Sequence, residues 1–259
     1  MTDKERAHRG IMASGGKLVP KKLKNDAIVE AILEVRFDTT TIPEILFGRL
    51  ADYEPWKELS QRRLPAYDIP ATLRQVDPNL RFQAVFELSG EQRAVRIGPQ
   101  VVSYHRTVPY IGWERFWPEL QQTITGLFET ANGLIIHRLG LRYLNALRSD
   151  LHGIASISDL DLEIKVASEW VTGYVNLNFT IDVASNAACM VRIATTEFVQ
   201  GKLPPNTSVY VDVDVFTKDG FETRERETVE SWVTAAHDSE KEQFFRLLTD
   251  RSIEALKER

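Results

Sequence analysis

Period-two alternation of apolar and polar residues runs through most of this chain, and a β-strand turns that pattern into one buried and one wet face. The longest instance is Leu134 to Leu147, Leu-Ile-Ile-His-Arg-Leu-Gly-Leu-Arg-Tyr-Leu-Asn-Ala-Leu. Ile135, His137, Leu139, Leu141, Tyr143, Asn145 and Leu147 share one face; Arg138, Gly140 and Arg142 share the other. Near the start, Val29, Ala31, Leu33, Val35 and Phe37 alternate with Ile28, Glu30, Ile32, Glu34 and Arg36. Shorter alternating runs follow at Phe82 to Leu88, Arg93 to Ile97 and Val101 to Arg106, and longer ones at Tyr174 to Val183, Cys189 to Thr195 and Val209 to Phe216. Ser89-Gly90, Gly98-Pro99 and Ser185-Asn186 separate neighbouring runs and predict tight turns, hence antiparallel meanders.

Helical period takes over in a few places. Thr41-Ile-Pro-Glu44 reads as a capping box opening a helix through Ile42, Ile45, Leu46, Arg49, Leu50 and Tyr53, reaching about Leu59 unless Pro55 ends it early. Leu64 to Pro78, with three prolines, predicts an irregular connection. Trp113, Phe116, Trp117, Leu120, Ile124, Leu127 and Phe128 form an apolar stripe, so the three leading aromatics read as core anchors before they read as a stacking platform. Ser149 to Gly153 is a break, and 154–170 gives no clear period. After Lys218-Asp219-Gly220 the chain is helical, with Val229, Trp232, Val233 and Ala236 on one helix and Phe244, Leu247, Leu248, Arg251 and Ala255 on another. Ser239 and Glu242 suggest a second capping box and a restart near His237.

The expected fold class is α+β. Two similar antiparallel-sheet units, each a strand, a three-strand meander and a long amphipathic helix, occupy 25–132 and 133–259 and pack as one globule. The pattern also allows one sheet continuous through the central strand.

Composition narrows the function classes. A 43 % hydrophobic content fills a core, and no stretch approaches the roughly 20 apolar residues of a membrane span, so a cytoplasmic protein is expected. The lone Cys189 leaves no internal disulfide and reads as a small buried residue. Net charge is −5, yet 1–24 carries seven basic residues against two acidic ones, leaving −10 for the rest. That flexible basic leader is a candidate nucleic-acid arm; without interleaved aromatics it reads first as a solvated tail. Order is expected from about Asn25.

Candidate chemistry is sparse. Glycine-rich phosphate loops, paired histidines and a nucleophile elbow are missing, so no cofactor is implied. Asp150, Glu163 and Lys165 imitate the acid, acid and lysine of metal-dependent nucleases, in which two carboxylates hold the ion. Asp212 and Asp214 share a strand face and could bind a metal, though opposite four valines they read as a wet face. Arg138 and Arg142 flank Gly140, where two guanidiniums over bare backbone could receive a carboxylate, a phosphate or a partner strand; pairing with acids such as Glu30 and Glu34 is the plainer reading. His137, Tyr143 and Asn145 need partners or a cavity on their apolar face.

Leu23-Lys-Asn-Asp-Ala-Ile-Val-Glu-Ala31, Glu34-Val-Arg-Phe37, Gly112-Trp113 and Arg138-Leu-Gly-Leu-Arg-Tyr-Leu-Asn145 together resemble an uncharacterised prokaryotic family of about this length, sporadically distributed among bacteria and archaea. Its Asn-x-Pro-Ile-Val-Glu opening has Ala27 at the proline position here. The resemblance implies no established activity and carries over no catalytic residue; the scattered distribution fits mobile or defence-linked genes. The leading expectation is a binding or regulatory protein with a protein partner or a homo-oligomeric assembly. The alternatives are a metal-dependent nuclease or other nucleic-acid-acting enzyme, and an antitoxin-like partner whose leader orders on binding.

Overall fold

Nine antiparallel strands form one sheet in this computed structural model, which describes residues 11–12, 18–20 and 23–256. In chain order they are β1 (Ile28–Asp38), β2 (Ser60–Arg63), β3 (Phe86–Ser89), β4 (Arg93–Gly98), β5 (Val101–Thr107), β6 (Ile135–Arg148), β7 (Asn176–Ala184), β8 (Ala187–Thr195) and β9 (Thr207–Thr217). Across the sheet the order is β7-β8-β9-β6-β1-β5-β4-β3-β2. The long central strand of the sequence is thus β6, and it pairs with β1 on one side and β9 on the other. The main helices are α1 (Pro43–Ala51), α2 (Trp113–Thr130), α3 (Arg226–Arg246) and α4 (Asp250–Leu256).

One face of the sheet is covered. Ala31, Leu33, Val35 and Phe37 of β1, Leu139, Leu141 and Tyr143 of β6, and the odd-numbered valines of β9 join one core with Phe116, Leu120, Ile124 and Leu127 of α2 and Val229, Trp232 and Val233 of α3. The apolar stripe of α2 therefore does what its period predicts. Gly112 precedes it at φ 79°, a conformation that glycine adopts without the Cβ penalty. The other face is the polar set of the same alternation. No described helix is long and apolar enough to cross a membrane.

Several local expectations change. α1 ends at Ala51 and has no side-chain cap; Thr41 Oγ1 instead accepts the Asn132 N–H, at 2.8 Å. The 64–78 stretch holds a 3-10 turn at Pro65–Asp68 and a short helix at Ala71–Val76, and Ser60–Arg63 just before it is a strand. The alternation from Phe82 becomes a strand only at Phe86. α3 runs unbroken through His237 and Ser239, so the second capping box does not form and the break falls after Arg246. Order also begins before Asn25: Ile11–Met12 pairs with Leu18–Val19, and Val19 is buried. Leu23 packs against the core and the Lys24 N–H donates to the Leu256 carbonyl at 2.9 Å, while 1–10, 13–17 and 21–22 lie outside the described residues.

Candidate functional site

The uncovered face carries a charged network centred where β1 meets β6. Register places Glu34 opposite Gly140, Ile32 opposite Arg142 and Arg36 directly opposite Arg138. Two guanidiniums facing each other would repel. Glu34 Oε1 stands between them, accepting from Arg36 Nε at 2.7 Å and Arg138 Nη1 at 2.9 Å. A similar group lies further along the sheet, where the buried Glu87 accepts from Arg62 and Arg96, each at 2.7 Å.

Arg142 takes a different partner from the one expected. Its guanidinium grips Asp212 through two bonds, Nε to Oδ1 at 2.8 Å and Nη2 to Oδ2 at 2.5 Å, a bidentate fork. Asp212 is 2 % exposed and not the wet-face residue its alternation suggested. The hydrogen bond to Asp212, which outweighs the effect of burial, holds the Arg142 guanidinium more firmly protonated than usual. Arg138 differs: burial lowers its pKa, against the opposing pull of Glu34 and of Asp214, which is 3.9 Å away. Burial pushes Asp214 up to about 6, although Arg138 and Arg142 pull the other way. On β5, His105 bridges Ser103 at 2.9 Å and Glu30 at 2.8 Å. Burial alone would raise the Glu30 carboxyl; His105, with Arg96 and Arg142, more than reverses it and holds the group low.

Together these groups wall a hollow of about 360 Å³, lined by Glu30, Glu34, Arg36, Arg96, His105, Arg138, Gly140, Arg142 and Asp214 among others. Gly140 keeps it open, since an added Cβ would lie 3.1 Å from Arg138 Nη1. A second hollow of about 440 Å³ lies between α2 and α3, where Arg226 already pairs with Glu230 at 3.5 Å. The sheet-face hollow is the better site because charged groups from five strands converge on it.

The remaining candidates are dispersed. Tyr143 lies buried under the helices, its hydroxyl 3.4 Å from that of Tyr110 and 3.2 Å from His237 Nδ1. Asn145 donates to the carbonyls of Tyr143 and Val211, so it serves the sheet backbone. His137 is exposed beside Asp38, at 2.9 Å. Asp150 binds Arg148 and Asn206, Lys165 lies over the Trp170 ring at 3.8 Å, and Glu163 is exposed. Among the described residues, no group of three or more histidine, cysteine or acidic side chains is placed to hold a metal ion. Arg36, Arg96 and His105 escaped the sequence reading, because only strand register brings them to Arg138. The opposition of basic residues on the polar faces of two alternating strands was the one available signal. No family model matches the chain, and no curated protein matches it.

Proposed function

We propose that this chain is a binding protein and that the hollow around Gly140 receives a small anion, a carboxylate or a phosphate group. The observation that carries this reading is the facing pair Arg36 and Arg138 with one carboxylate oxygen between them. That triad keeps one positive charge, which the neighbouring Asp214 offsets until it gains a proton near pH 6, and Arg62–Glu87–Arg96 keeps another. A guanidinium has five N–H donors, so both triads retain donors for a ligand. An anion over Gly140 would also offset the desolvation that lowers the Arg138 pKa. We further read the two halves as related units whose opening strands, β1 and β6, meet at this seam; the strand order on either side of it supports that view. The site would then belong to the junction and to neither half alone.

Titration with sulfate and with inorganic phosphate, at constant ionic strength against chloride, tests the reading. Isothermal titration should show saturable binding that Arg138→Gln weakens about tenfold or more, the scale of one charge-assisted contact. Heat changes equal to those of chloride would count against it. Sulfate keeps its charge between pH 5 and 8. Its affinity should therefore rise as pH falls through about 6, where Asp214 gains a proton and the hollow loses a negative charge.

A further inference from the structure

The two edges of the sheet are unlike. β2 is four residues long, ends in Arg62-Arg63 and is followed by Pro65, the short charged edge that discourages further pairing. β7 runs for nine residues, Asn-Leu-Asn-Phe-Thr-Ile-Asp-Val-Ala, with no proline and no lysine. β8 satisfies one of its sides, and its exposure alternates along the whole length. Leu177, Phe179, Ile181 and Val183, on the core side, are only partly covered, unlike the buried valines of β9. Tyr174, 73 % exposed, and Phe198 stand by one end of this edge, where Val175 pairs with Thr195.

We propose that β7 pairs antiparallel with β7 of a second copy of this chain, joining two sheets into one. A two-fold axis at Thr180 centres the pairing on the regular part of the strand, short of the register shift against β8 between Asp182 and Ala184. It sets Phe179 against Ile181 on the core side, a favourable cross-strand apolar pair, with Leu177 towards Val183 beyond it. On the open side Asn178 meets Asp182, an amide donor to a carboxylate acceptor, and no charge faces its like. The one acid of the strand, Asp182, is already balanced by Lys218 at 2.8 Å within its own copy. Self-complementarity of this kind is what an isologous interface requires, and it favours a second copy over an unrelated strand. This inference is independent of the anion site, whose β1–β6 seam begins three strands away from β7.

Sedimentation of the full chain over a concentration series tests it, with two surface variants. The wild type should be a dimer. Thr180→Lys, which sets two ammonium groups face to face across the axis, should be a monomer with unchanged far-UV circular dichroism. Asn178→Lys adds the same charge opposite Asp182 of the second copy and should remain dimeric. A wild type that stays monomeric throughout the series, or a dimer that Thr180→Lys leaves intact, overturns the proposal.

Discussion

Glu240 sits on α3 one turn beyond His237 and is only 5 % exposed. Burial, reinforced by the nearby Asp26, raises its carboxyl well above the ordinary 4.5. Around it stand Tyr110 and Tyr143, whose hydroxyls burial pushes up, and His237, which burial lowers to about 4 and which stacks on Trp113 at 3.9 Å. Nδ1 of the His237 ring and the Tyr143 hydroxyl lie within hydrogen-bond reach, at 3.2 Å. A carboxyl whose folded pKa is raised favours the native state while protonated. Its contribution is fully present below about pH 4.5 and is lost as pH rises through the folded value. Glu240→Gln keeps the shape and removes the titration. The variant should match the wild type in urea unfolding near pH 4 and exceed it by about 1–3 kcal/mol near pH 8. A constant difference between the two pH values would show that Glu240 does not titrate in the core.

At the scale of elements, strands were readable where both faces had a task. β1, β6 and β9 alternate because one side meets the helix-covered core and the other carries charged groups; β8 keeps the apolar side, Cys189, Val191 and Ile193, but its other side is Ala188, Met190, Arg192 and Ala194. β2 escaped notice because all four of its residues are exposed and nothing imposes a period on Ser-Gln-Arg-Arg. Capping patterns misled for a related reason, since Ser-x-x-Glu states a local preference that tertiary packing overrides. At Ser239 the stripe Val233, Ala236, Glu240 and Phe244 continues to face the core, which keeps α3 in one piece. The consequence is measurable. Ser239→Ala should change stability by less than about 0.5 kcal/mol, whereas loss of a working cap costs about 1. Ser239→Pro should cost about 3 kcal/mol or more, because proline removes an interior hydrogen bond and clashes with the preceding turn. A free ride for proline there would place a helix boundary at His237 after all. The site was half legible in the same sense: Arg138, Gly140 and Arg142 stand out in one strand, but the Asp212 that binds Arg142 and the Arg36 that faces Arg138 depend on register between strands.

For the whole molecule, the seam between β1 and β6 decides whether the two halves can exist apart. β1 and β6 form the longest ladder in the sheet, from Ile28 opposite Asn145 to Asp38 opposite Ile135. Leu33 and Leu141, paired across it, are both fully buried, and the core beneath runs on from α2 to α3. Cutting the chain at Asn132-Gly133 would expose that ladder on both fragments, together with the apolar faces it carries. Each fragment would then present a long, flat, hydrophobic edge, the kind that aggregates. The intact chain should therefore unfold in one transition, with circular dichroism and tryptophan fluorescence coincident in urea. Fragments 25–132 and 133–259 should each lack cooperative unfolding when expressed alone and regain it on being mixed. A cooperative transition in either isolated fragment would mean that its own sheet and helix suffice, and that the seam is a docking surface between two domains.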